Sequence, residues 1–342
     1  MKIFLWSETY LPNLGGMETT AYTLAEEFVN QGHQVRLLTW TKANQEYDKN
    51  TPFTVIRMPS RKTMWETARW CDVCLHNGIM QAGLGPLIYY LIPLFKPWVL
   101  LHQFFLYQVK MRKFPQIKYN LFESFLTHVY LCEEMQKLAK RPGVVLGNPY
   151  RASLFREIPD LPRDRELVYL GRFISYKGVH LVIDTLNLLK ERGKIYNLTL
   201  IGDGPEKQNL IDKVKKWELT KQVKFAGLLR GEELVKTLNQ HKVMLAPSLW
   251  KEPFGIVALE SIACGCIPIT TNTGGLIDAV GPCGLTFPTP KGDVTEIARL
   301  IELVLENDDK PMQLRSHAQQ HLQQYTAQNL VKKYIQLFEN IT

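Results

Sequence analysis

The chain has little cysteine, 6 residues in 342, and that scarcity excludes a small secreted fold framed by disulfides. The six read as core residues of a reducing compartment. Cys71 and Cys74 make one CxxC inside a predicted strand, CDVCLHNG, with no second pair, so neither a zinc site nor a redox motif is expected. Also missing is an uninterrupted apolar run of the roughly 20 residues that cross a bilayer. The richest stretch, residues 84–107, is broken by Pro86, Pro93, Lys96 and Pro97, which suits a helix followed by a buried strand. The opening MKIFLWSETYLP lacks the long apolar core of a secretory signal and reads as a first strand, so a cytoplasmic location is expected. No compact Lys/Arg block is present, and nucleic acid is not expected as a partner. No GxGxxG follows the first strand, and the GDGP at residues 202–205 is too short and lacks an acidic partner downstream, which argues against a nicotinamide dehydrogenase. No Asp-x-Asp motif occurs, and no metal or other cofactor is expected.

What is present suits a two-domain globular protein. The chain is long enough for two substantial cores, and its 45% hydrophobic and 22% charged residues are ordinary for a soluble protein. The net charge of +8 leans toward residues 1–150, which hold 16 Lys+Arg against 11 Asp+Glu. A mild basic bias of this kind fits a phosphate-bearing ligand or an anionic membrane surface.

Taken in order, residues 2–6 predict a strand, and a loop ending in Gly15 and Gly16 leads to a helix over residues 17–31 closed by Gly32. A second strand lies in HQVRLLTW, and others are expected at residues 53–58, 73–76, 98–102 and 129–131, the last followed by a helix over 133–140. This alternation implies a parallel sheet covered by helices on both faces, with ligands at the carboxyl ends of the strands, where Ser7, Gly15, Gly16, His76 and His102 fall. A polar stretch over residues 147–162 reads as an interdomain linker. A second series follows: LVYLG, a helix from Val179, LTLIG, a helix from Glu206, VKFAG, a helix from Glu232, VMLAP, a further helix, IPIT and a helical region from Asp293. Residues 313–340 read as helical, in a position to return to the first domain.

The chain is organised around residues 247–265, PSLWKEPFGIVALESIACG, which read as the end of a strand, a loop and a helix. Gly255 lets backbone approach a ligand, and the free N–H groups of the following helix form a site for phosphate. Glu252 lies before that helix and Glu260 about one turn inside it, on the face shared with Ile256. Carboxylates accept paired hydrogen bonds from vicinal hydroxyls, so a ligand with phosphate in its middle and a polyol at each end would satisfy all three elements. Two solvated glutamates on an amphipathic helix are the plainer alternative.

Five segments carry a family resemblance: YLPNLGGMET, LGRFISYKG, LIGDGP, VKFAG, and EPFGIVALE followed by ACGCIPITTNTGG. In this order they resemble the retaining glycosyltransferases of family four, which have the α/β fold called GT-B, two Rossmann-like domains facing each other across a cleft. The resemblance implies an acceptor-side domain over residues 1–150, with a helix at about 325–342 packing back on it, and a nucleotide-sugar-binding domain over 151–324. It implies that Gly15 and Gly16 approach the donor's diphosphate and sugar, that Arg172 and Lys177 neutralise the departing diphosphate, and that Glu252 holds the donor-sugar hydroxyls. Phe254, Gly255 and Ile256 would present backbone to sugar and phosphate, Glu260 would bind ribose, and Gly227 and Leu228 would lie beside the base. His102 matches a histidine on the acceptor side of the donor sugar, for hydrogen bonding or proton handling, with His76 as its rival. Glu18 either caps the first helix or reaches the acceptor side. Trp250, Lys251 and Pro253 depart from the residues common in the family and put the donor sugar's identity in doubt.

The implied reaction moves a hexose-type unit from a UDP, GDP or ADP sugar to an acceptor hydroxyl with retention, by front-face attack and without metal, as the cleft closes. The acceptor would be a sugar, a polyol or a lipid-linked molecule, in polysaccharide, glycolipid or other glycoconjugate synthesis. Lys110, Arg112, Lys113 and Lys118 interleave with apolar residues, a candidate for peripheral contact with an anionic membrane at its inner face. A nucleotide-sugar epimerase or phosphorylase on the same fold, and a non-catalytic nucleotide-sugar-binding subunit, are the alternatives.

Overall fold

A computed structural model describes residues 1–13, 15–43, 45–78, 96–105, 125–139, 141–289 and 294–342. The chain divides into two compact units, Met1–Pro149 together with Tyr325–Thr342, and Tyr150–Gln324.

The first unit runs β1 (Lys2–Ser7), α1 (Gly16–Asn30), β2 (Gln34–Thr39), β3 (Thr54–Arg57), α2 (Arg61–Trp70), β4 (Val73–Asn77), β5 (Trp98–His102), β6 (Leu126–Tyr130), α3 (Glu133–Ala139) and β7 (Val144–Val145). Its strands form one parallel sheet in the order β3-β2-β1-β4-β5-β6-β7. The central strands are apolar almost throughout because a parallel sheet is covered on both faces, and Ile3, Phe4, Leu5, Val99 and Leu101 are fully or nearly fully buried. Ser60 starts α2 by accepting a hydrogen bond from the Thr63 amide at 3.1 Å. The helix runs to Trp70, and Cys71 caps it through a bond from its own amide to the Thr67 carbonyl, so only Cys74 of the CxxC lies in a strand. That corrects the expectation of a strand spanning both. The two sulfurs lie 4.0 Å apart in the core.

The second unit runs β8 (Arg165–Leu170), α4 (Val179–Glu191), β9 (Leu198–Ile201), α5 (Lys207–Lys216), β10 (Val223–Gly227), α6 (Gly231–Asn239) and β11 (His241–Ala246). It continues through α7 (Ile256–Ala263), β12 (Ile267–Thr271), α8 (Leu276–Val280), β13 (Leu285–Phe287), α9 (Thr295–Leu305), α10 (Asp309–Ser316) and α11 (Ala318–Gln323). The sheet is again parallel, in the order β10-β9-β8-β11-β12-β13. Its core packs Leu167, Val182, Leu186, Leu200, Val243, Ile269 and Ile301 between sheet and helices. Strand order reverses between β8 and β11 in this unit and between β1 and β4 in the first. A ligand of a doubly wound sheet binds at the carboxyl ends beside such a reversal.

The helical reading of residues 313–340 is corrected in detail. Three helices occupy the region, and the last, α12 (Ala327–Glu339), starts anew where the Thr326 hydroxyl accepts a bond from the Asn329 amide at 3.3 Å. This helix belongs to the first unit and packs on α1, with the Phe338 ring stacked at 5.8 Å from Phe28.

Candidate functional site

In the second unit the loops after β8 and β11 flank the reversal, and backbone contacts stitch them together. The Leu249 amide donates to the Tyr176 carbonyl at 2.8 Å. Gly178 opens α4 with a φ of +70°, and a Cβ there would run into the Pro247 carbonyl oxygen. Side chains follow the same line, with the Tyr176 and Trp250 rings 5.3 Å apart and Lys177 Nζ 6.0 Å from the Trp250 ring centre.

At the junction sits Glu252. Its Oε1 receives Lys177 Nζ at 2.5 Å and the Ser248 hydroxyl at 2.8 Å. Among the described residues Oε2 accepts no hydrogen bond. Its main chain is fixed from the other side, because the Gly275 amide donates to the Glu252 carbonyl at 2.8 Å and Gly274, at φ +60°, passes where a Cβ would strike that carbonyl. Arg172 is exposed and, among the described residues, pairs with no carboxylate. The buried Tyr169 phenol is held above its usual pKa by desolvation, then by Glu252, with Arg172 pulling the other way, so both charges lie close to it.

Glu260 is partly buried within α7. Desolvation pushes its carboxyl up to about 8, with Arg151 offsetting part of the rise, and among the described residues no group bonds to it. Gly255 caps the same helix at φ +111°. A Cβ there would come 2.5 Å from Leu276 Cδ2, so packing against α8 demands this glycine in its own right. Phe254 and Ile256 are buried on either side. Gly227 ends β10 at φ +70° with open space around its missing Cβ, and Leu228 is 63% exposed.

The first unit holds the remaining candidates. Gly15 precedes α1 and Gly16 begins it, both exposed; the φ of 179° at Gly15 suits any residue. A Cβ on Gly15 would lie 2.6 Å from a Glu18 carboxylate oxygen, the far end of a side chain that can turn aside, so packing within the chain does not itself demand glycine there. His102 ends β5 at 1% exposure, with Nε2 at 2.9 Å from His128 Nδ1. Burial drives its pKa down to about 3, helped by His128, Arg141 and His76, so the ring is neutral. Its rival His76 is also buried and lowered to about 3, and packs edge-on against Trp6 and Trp98.

Several residues near the strand ends went unmarked by motif. Asn77, Gln103 and Asn148 form a buried polar cluster: Gln103 Nε2 donates to Asn77 Oδ1 at 2.7 Å, and Asn77 Nδ2 donates to Ser7 Oγ at 3.1 Å and to the Met17 carbonyl at 2.9 Å. Ser248 lies in the segment 247–265, and Gly274 and Gly275 close the recognised segment ACGCIPITTNTGG, yet only the fold shows that they converge on Glu252. The basic segment with Lys110, Arg112, Lys113 and Lys118 lies outside the described residues. Among the described residues no group of three His, Cys, Asp or Glu side chains could hold a metal, and no helix is long and apolar enough to cross a membrane.

Residues 152–321 match the family described as glycosyl transferases group 1. The chain is 37% identical over 155 residues to the glycogen synthase of Mycobacterium tuberculosis, a match covering 45% of this chain and 36% of that protein. It is 26% identical over 216 residues to the uncharacterized glycosyltransferase YqgM of Bacillus subtilis, covering 62% of this chain and 59% of that one. The chain thus spans between about a third and three fifths of these relatives' lengths. In structure it is similar to Anabaena HepE in complex with UDP, at a TM-score of 0.82 and 18% identity over 99% of this chain and 100% of that one. A glycosyltransferase from Rickettsia africae is similar at a TM-score of 0.82 and 14% identity, over 99% and 98% of the two chains. Residues 152–321 thus carry a domain of the group 1 glycosyl transferases, and the chain has two parallel-sheet Rossmann-like domains of GT-B type.

Proposed function

We propose that this chain transfers a hexose-type unit from a nucleoside-diphosphate sugar to an acceptor hydroxyl, with retention of anomeric configuration and without a metal ion. The observation that carries the reading is the Glu252 carboxyl, held through Oε1 by Lys177 and Ser248 while Oε2 accepts no hydrogen bond among the described residues, with Arg172, paired to no described carboxylate, acting on the same Tyr169 phenol. An oriented carboxylate with one open oxygen suits a sugar hydroxyl, and a free guanidinium suits a diphosphate.

In this reading Arg172, Lys177 and the amino end of α7, with Phe254, Gly255 and Ile256, stabilise the leaving diphosphate. Glu252 orients the transferred sugar, and Glu260, whose carboxyl takes no bond among the described residues, pairs with ribose hydroxyls. The open surface at Gly227 and Leu228 receives the base. Gly15 and Gly16 leave room for phosphate, and His102, being neutral, offers a hydrogen bond to the sugar. The relatives' names support a glycosyl acceptor chemistry, and the UDP bound to Anabaena HepE makes UDP sugars the first donors to try.

The test is incubation with labelled UDP-, GDP- and ADP-glucose and a panel of sugar, polyol and lipid-linked acceptors. A transfer product that is lost in Glu252→Ala and Lys177→Ala supports the reading. Tight donor binding with neither transfer nor hydrolysis would instead indicate a nucleotide-sugar-binding subunit.

A further inference from the structure

His102 has a neighbour to which no role has been given. Strand register sets His102 opposite Tyr130, and His128 stands two residues earlier on the same face of β6. The rings stack: His102 lies 4.7 Å from Tyr130 with 9° between the planes, and 5.2 Å from His128. All three side chains are buried. Nε2 of His102 meets Nδ1 of His128 at 2.9 Å, whereas Nδ1 of His102 is closed off from solvent and has no hydrogen-bond partner among the described residues.

A hydrogen bond between two ring nitrogens holds one proton. If His102 donates it from Nε2, its Nδ1 is a bare lone pair. If His128 donates it, neutral His102 must carry its own proton on the partnerless Nδ1. A buried N–H without an acceptor is a rarer and costlier defect than an unused lone pair, and the tautomer of a histidine follows the bond made by its other nitrogen. The first arrangement therefore prevails.

We propose that His128 is a positioning residue that fixes His102 as the Nε2–H tautomer, so that Nδ1 is kept as an acceptor for a ligand hydroxyl. A lone pair accepts from an alcohol and repels a phosphate oxygen, so the group received is a sugar hydroxyl. The inference rests on His102 contacting the donor sugar, although its tautomer can be measured without any ligand.

The experiment is nitrogen NMR on the full chain labelled at histidine, with His102 assigned from His102→Ala. The expected result is a neutral His102 protonated at Nε2 between about pH 6 and 8. His128→Asn, whose side-chain oxygen supplies an acceptor near the lost Nδ1, should preserve that tautomer. His128→Phe keeps a stacked ring but offers no acceptor; it should shift the His102 proton to Nδ1 and lower kcat by about tenfold, with donor KM little changed. A wild-type His102 protonated at Nδ1 overturns the proposal, and so does a His128→Phe protein with unaltered tautomer and kcat. The wild-type and His128→Asn spectra decide the matter even if His128→Phe fails to fold. Wild-type transfer by His102→Ala with UDP-, GDP- or ADP-glucose would remove the sugar contact while leaving the measured tautomer intact, so the two failures are distinguishable.

Discussion

Lys177 and Glu252 are 75 residues apart in the chain and meet at 2.5 Å, and Ser248 binds the same carboxylate oxygen. The groups proposed to touch the donor's diphosphate and its sugar therefore hold each other before it arrives. Lys177→Met and Glu252→Gln should each reduce kcat/KM by about 100-fold or more. The double variant should fall well short of the product of the two losses, because the residues act as one unit. Steady-state kinetics on the three variants checks this, and fully multiplicative losses would mean that the pair does not function jointly.

A panel of UDP, GDP and ADP sugars should separate in thermal shift. A ligand at a hundred times its Kd adds about 2.7 kcal/mol to the state that binds it. The preferred donor should raise Tm by several degrees, and Arg172→Ala should diminish that rise. Equal shifts for all three nucleotides would place recognition on the diphosphate alone.

Glu260 should make both stability and binding depend on pH. Its folded pKa of about 8 lies above the ordinary value of 4.5, so between those limits the folded state holds a proton that the unfolded state has released. Stability from this group is present below the lower value and is lost as pH rises through the upper one. Glu260→Gln should flatten the fall by about 1–3 kcal/mol, allowing for partial exposure. Ribose hydroxyls favour the ionised form, so UDP should bind more tightly as pH rises from 6.5 toward about 8.5, and calorimetry on the Gln variant should show no such trend.

Gly178→Ala should destabilise the chain by about 1–3 kcal/mol, since it places a Cβ against the Pro247 carbonyl at a left-handed φ of +70°. Because the neighbouring residue is Lys177, activity should fall further than stability. Denaturant unfolding and kinetics on one preparation would show whether the two losses separate.

Much of the fold was legible because many strands are short apolar runs ended by glycine, proline or a polar residue, as in LTLIG and VMLAP. Glu252 and Glu260 were legible as candidates through their spacing about the start of a helix, and Arg172 and Lys177 only through the family resemblance. The rest depended on contacts distant in sequence. Gly255 suggested close approach to a ligand, but the need for a bare Cα also comes from Leu276 on another helix. The helix α2 and its end at Cys71 were not read, because RKTMWETARWCDVC carries no glycine or proline to mark where helix gives way to strand. His128 was missed because its partner stands 26 residues earlier on the neighbouring strand, and nothing in THVY signals that pairing.

Phe338→Ala should cost about 3–5 kcal/mol and act on the first unit, although the residue lies beyond the second in sequence. Hydrogen exchange should show faster opening of α1 and β1 with the second unit little changed.

That connection sets an order of assembly during synthesis. A nascent chain complete to Gln324 already contains every residue of the second unit, while Phe28 still awaits the Tyr334 and Phe338 rings that cover it. The unit that begins first in the chain is thus the last to be completed. Until α12 has left the ribosome, an exposed apolar stripe on α1 makes the first unit a natural client for chaperones.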